Sequence, residues 1–153
     1  ATEYRRIGSV LTDGSANIIG FSQFGDEFLW DAPVAEYAAV NPGISAVTVA
    51  LTVPTGVQVR AIHAQAWDDD SPAGAGDVYI LVTSLDQDDT APSATIFSWA
   101  LLDGGGAALA SSGHFVTRTD TSGQIRYRST KSDAGIKISG TTQGWMDRRG
   151  RNS

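Results

Sequence analysis

Between residues 46 and 53 the chain alternates without a fault. Val47, Val49, Leu51 and Val53 fall on one side, and Ala46, Thr48, Ala50 and Thr52 on the other. A period of two is the pattern of a β-strand with one buried and one wet face. A helix would scatter those four large side chains around its circumference. Pro54-Thr55-Gly56 closes the run, and a longer one follows over 57–67, with Val57, Val59 and Ala61 on one face and Arg60 and Ile62 on the other. Further strands are expected over 28–30, 78–83, 95–102, 114–119, 124–129 and 136–139. An opening hairpin is expected to join 7–11 to 18–24 across Thr12-Asp13-Gly14-Ser15, a turn sequence. Pro33 and Asn41-Pro42-Gly43 break any helix over 35–40. Roughly eight to ten short strands at this spacing describe an all-β, antiparallel β-sandwich of jelly-roll type. Residues 1–153 fit one such domain, with 144–153 as an interface tail.

Composition agrees. The chain has 17 glycines and five prolines, its only lysines are Lys131 and Lys137, and Glu is scarce, so strong helix formers are the residues missing. Cysteine is absent, which rules out disulfide staples and thiolate metal sites. No apolar run approaches the roughly 18 residues of a membrane span, and no signal peptide opens the sequence, so a soluble, unanchored protein is expected. Ala1-Thr2 reads as a start after methionine removal or as a domain cut. Charge divides along the chain: residues 1–110 carry three basic and fourteen acidic side chains, residues 111–153 eight basic and three acidic. Such a division suits contact between subunits, or simply solvated faces of unequal sign.

Few constellations carry chemistry. Asp68, Asp69 and Asp70, and Asp86, Asp88 and Asp89, form two oxygen-rich loops that would bind calcium or a receptor if one end of the sandwich brought them together. The alternative is that acidic loops keep the body soluble and discourage edge aggregation. Zinc is not expected from two histidines and no cysteine. His63 lies inside a long strand and His114 at a strand start, both better suited to structure than to a triad, and no Gly-x-Ser-x-Gly elbow is present. No carboxylate pair stands out for glycoside hydrolysis. No metal and no cofactor is expected, and an enzyme is the least supported class. Nucleic acid is not an expected partner of an acidic chain whose dense basic run is confined to Arg148-Arg149-Gly150-Arg151.

That C-terminal run is the more informative feature. Trp145-Met146 joins an apolar anchor to Arg148, Arg149 and Arg151, and Trp and Arg are enriched in interface hot spots. Two readings stand side by side: an anchor at a subunit seam, or a Trp145 that ends the last strand inside the core with arginines beyond it.

Taken in order, Tyr4-Arg5-Arg6-Ile7-Gly8-Ser9, Thr12-Asp13, Asn17-Ile18-Ile19, Phe24-Gly25-Asp26-Glu27-Phe28, Trp30-Asp31-x-Pro33-Val34 and Val53-Pro54-x-Gly56-Val57 resemble the opening of small jelly-roll virion proteins of tailed bacteriophages. The ending Gly144-Trp145-Met146-Asp147-Arg148-Arg149-Gly150-Arg151 is similar to a Gly-Trp-Ile-Asp-x-Arg-Gly-Arg ending common there. The match covers both ends and the first third of the chain. The resemblance implies a trimeric domain on the virion surface, without catalytic residues. It makes Tyr4, Arg5, Arg6, Trp145, Met146, Arg148, Arg149 and Arg151 the expected interface residues. Two roles follow. One is a homotrimeric capsid decoration (cement) protein bridging major capsid subunits, favoured if the chain is complete, since no heptads precede Tyr4. The other is the knob of a tail fibre or tail needle bound to a host receptor, favoured if it is an excised domain.

Overall fold

The computed structural model describes residues 10–69, 76–102 and 109–148. Nine strands are found there and no helix: β1 (Phe21–Phe24), β2 (Glu27–Val40), β3 (Val47–Ala50), β4 (Arg60–Asp69), β5 (Val78–Thr83), β6 (Trp99–Leu101), β7 (Leu109–Arg118), β8 (Gln124–Ser129) and β9 (Ile136–Met146). They form a five-stranded sheet, β1-β2-β9-β4-β7, and a four-stranded sheet, β3-β8-β5-β6, and every pair is antiparallel.

The chain folds double. β2 pairs with β9, β3 with β8, β4 with β7 and β5 with β6, as one long ribbon whose closed end is the β5–β6 connection. Rolling the ribbon sets β9 against β4 and β8 against β5, which completes the two sheets. This is the jelly-roll order, with β1 added outside β2.

Two strands match their expected bounds, Val78–Thr83 and Gln124–Ser129. Others differ for local reasons. Residues 18–24 meet the described part of 7–11 only briefly, where the Ile19 amide donates to the Leu11 carbonyl at 2.9 Å. An isolated Thr12↔Ile18 bridge stands there, around an Asp13 carboxylate that accepts from the Ser15 and Asn17 amides, while β1 pairs forward onto β2. Residues 1–9 lie outside the described residues. Residues 35–40 continue β2 as strand. Pro33 sits in a register shift between Leu29 and Val34, where its missing N–H costs no ladder bond. β9 runs on past Ser139 to Met146 through two glycines. A Cβ at Gly140 would overlap the Tyr37 ring, and one at Gly144 the Phe28 carbonyl, so these glycines serve close packing rather than turns.

Both sheets turn their apolar rows inward. β4 buries Ala61, His63, Gln65, Trp67 and Asp69 in strict alternation. At one end Trp145 is enclosed by Phe28 (ring centroids 4.9 Å, nearly parallel), Trp30 (4.6 Å) and Phe21 (5.6 Å). Further along, Trp67 meets Trp99 and Tyr127 edge-on. Offset and edge contacts of this kind add to what area burial alone contributes.

Candidate functional site

Trp145 has none of its surface exposed. The second of the two readings of the C-terminus therefore describes it: the side chain belongs to the core of its own chain and offers nothing to a seam. Met146, one residue on, faces the other way, and its surroundings are the most suggestive on the surface. Phe24 is opposite Glu27, Glu27 opposite Met146, Met146 opposite Arg60, and Arg60 opposite Arg118. One row thus crosses all five strands on the outer face of the larger sheet. Phe24 is 86 % exposed, Arg60 and Arg118 are exposed, and Glu27 and Met146 are partly covered. Arg148 joins Asp26, Gln58, Arg60, Arg118 and Met146 around a cleft of ≈ 650 Å³.

Arginines directly opposite one another across a ladder repel. Arg118 is offset by Asp86, whose carboxylate lies 2.7 Å from its guanidinium and also accepts from Gln58 Nε2 at 3.3 Å. No hydrogen bond or ion pair of the Arg60 guanidinium is found among the described residues. Of the other expected interface residues, Tyr4, Arg5, Arg6, Arg149 and Arg151 lie outside the described residues.

The two acidic loops are not brought together. Asp68 and Asp69 end β4, whereas Asp86 reaches Arg118, which pairs with Arg60 at the start of β4. Nine steps of about 3.3 Å put the loops roughly 30 Å apart, at opposite ends of the sandwich. Asp70 lies outside the described residues, Asp69 is buried, and Asp68 faces Lys137 across the β4–β9 ladder. The 86–89 loop is clamped by its own chain. Arg128 Nη1 donates to Asp89 Oδ1 at 3.2 Å, and Arg126 donates from Nη2 to the Gln87 carbonyl at 2.6 Å and from Nε to Thr83 Oγ1 at 3.1 Å. Among the described residues, no three His, Asp or Glu side chains are grouped to hold a metal ion. Sequence reasoning passed over Arg118, Arg126 and Arg128. Arg126-x-Arg128 in a strand places both on one face, and that spacing was the available signal.

His63 is 1 % exposed; its Nε2 is 3.0 Å from Thr117 Oγ1 and its ring stacks on Phe115 at 5.4 Å. Burial, with a smaller contribution from the charge on His114, lowers its pKa to about 4, so the imidazole is neutral near pH 7. Gln65, one inward position further along β4, donates to the Tyr37 hydroxyl at 2.6 Å. Burial raises the Tyr37 pKa, so that hydroxyl keeps its proton. These groups sit among packed side chains.

At the far end of the same outer face, Ala39, Ala66, Ala110, Ser112 and Ser139 line a shallow depression of ≈ 530 Å³, rimmed by Asp68 and Lys137. Comparison with protein-family models and with curated proteins finds no match to this chain.

Proposed function

We infer that the protein is a structural component of a bacteriophage virion surface: a homotrimeric capsid decoration protein that stabilises the shell by bridging major capsid subunits. The observation that carries this reading is the row Phe24, Glu27, Met146, Arg60 and Arg118. It combines a nearly naked phenylalanine with two exposed arginines on a rigid sheet, the residue types that anchor interfaces when water is excluded around them. The resemblance of the chain's two ends to virion proteins, and the jelly-roll order, which such proteins share with many others, support the same reading by analogy.

The test uses particles with and without the protein. Bound protein is expected to raise the temperature at which the particles release DNA, and the doubly substituted Phe24→Ala, Arg60→Glu protein is expected to bind them at least about tenfold more weakly, as loss of one hot-spot contact implies. Release at the same temperature in both particle types would refute cementing.

A second reading, the knob of a fibre or tail needle, is favoured by the 86–89 loop. Its clamp of arginines holds Asp88 outward on a stiff support, as a receptor contact requires. Competition of the soluble protein with phage adsorption to host cells distinguishes it.

A further inference from the structure

Four strands border the two sheets, and they differ in length. β1, β3 and β6 have four, four and three residues, whereas β7 has ten. A bordering strand offers unpaired N–H and C=O groups to any other strand, and proteins usually blunt it by shortness, proline, a bulge or a charge. The three short strands are blunted by their length. β7 has none of these devices over most of its span. Its ladder with β4 runs from Asp69↔Leu109 to Arg60↔Arg118 without a register shift. It contains no proline, and from Leu109 to Thr117 it carries no Asp, Glu, Lys or Arg. Among the described residues no strand pairs with its outer edge. Even its core-side row of Ser111, Gly113 and Phe115 is only half-buried.

We propose that the outer edge of β7 pairs antiparallel with β7 of a second copy of this chain. The two five-stranded sheets then become one continuous sheet across a two-fold axis. Charge selects the occupant. The chain carries a net −6, so a second copy is repelled wherever acidic surfaces meet. An edge strand with nine successive residues free of Asp, Glu, Lys and Arg is where two such chains approach at least electrostatic cost. A two-fold axis normal to the sheet also keeps each face with its own kind. The outward row of Ala110, Ser112, His114 and Val116 continues into the same row of the partner, with small side chains at two of its four positions. This contact is distinct from the three-fold contact inferred above: it joins one trimer to the next, or two chains where there is no trimer.

Pairing of a single strand buries little beside the ~1,600 Å² of a standard interface, so it forms at high concentration. A particle surface supplies this, with effective concentrations reaching the millimolar range.

Sedimentation equilibrium of the full chain, from about 10 µM to about 1 mM, reads the pairing directly. The expected result is a twofold rise in mass over the mass found at the dilute end. Ser112→Lys with Val116→Lys adds two cations per chain to exposed outward positions, and is expected to abolish the rise while leaving the circular dichroism spectrum unchanged. Hydrogen exchange on the unsubstituted protein gives an independent reading. Dilute protein should protect only those β7 amides that bond β4, and concentrated protein the outward-pointing ones as well. A mass constant over the whole range, a rise that survives both lysines, or a rise without new protection in β7 would each overturn the proposal.

Discussion

The two faces of the five-stranded sheet are made from the same strands, often from adjacent residues, and have opposite chemistry. Trp145 and Met146 are neighbours in the chain. One closes an aromatic cluster with Phe21, Phe28 and Trp30, and the other sits in the outward row between Glu27 and Arg60. Inside, His63 is neutral at pH 7, and His63 and Gln65 each meet a hydroxyl, of Thr117 and Tyr37. Outside, Ala39, Ala66, Ala110, Ser112 and Ser139 line a depression at one end, and a row of Phe24 and arginines stands at the other. If the outer face carries the association proposed above, substitutions at adjacent positions should separate stability from association.

The largest expected effect tests that division at its sharpest point. Trp145→Ala should cost roughly 3–5 kcal/mol of stability, because it leaves a cavity among three rings. Met146→Ala should cost less than about 1 kcal/mol in stability, as expected for a partly exposed site, and act instead on oligomer or particle binding. Denaturant unfolding of the two variants decides the matter. Equal losses would mean that the faces do not divide the work.

Next comes the pH dependence of the inner face. His63 is neutral in the folded chain down to about pH 4, whereas the unfolded chain takes up the proton near the ordinary histidine value of 6.5. Its contribution is therefore fully present above pH 6.5 and is lost as the pH falls from 6.5 towards 4. The loss amounts to about 3 kcal/mol for a shift of this size. Subtracting the pH–stability curve of His63→Gln from that of the unsubstituted protein removes the carboxylates common to both. The difference should fall across that window, and a flat difference would contradict a buried, neutral imidazole.

The smallest effect concerns the exterior. Asp86→Ala removes a partner of Arg118 that is partly open to solvent, so the change in stability should be only about 0–1 kcal/mol. It also leaves Arg60 and Arg118 opposed without relief, so particle binding should change more than the melting temperature does. The reverse ranking would place the Asp86 clamp with the core.

Much of this fold was legible in the chain. Alternation at 47–53 and 57–67, scarce helix formers and regular turn signals point to a sandwich because a half-buried strand has to repeat every two residues. Where those signals misled, a contact distant in sequence was responsible. Gly140 and Gly144 read locally as the end of a strand, yet they lie in mid-strand because Tyr37 and Phe28 press against them from β2. Trp145 and Arg148 read as one interface motif, but they lie on opposite sides of a sheet whose position depends on β2 and β4. The acidic runs at 68–70 and 86–89 looked combinable until the direction of β4 placed Asp68 and Asp69 at one end and Asp86 at the other.

The sequence by itself determined the class of this protein: antiparallel strands, one buried face each, and no disulfide chemistry. Those properties follow from side-chain periodicity and composition, which are local. Only the tertiary structure decided which groups meet. It assembled Phe24, Glu27, Met146, Arg60 and Arg118, drawn from five strands, into one row, paired Arg118 with Asp86, and, among the described residues, left β7 as a long edge with no strand beside it. Such neighbours are fixed by strand order and register, and these are set by the rolling of the whole ribbon rather than by any stretch of it.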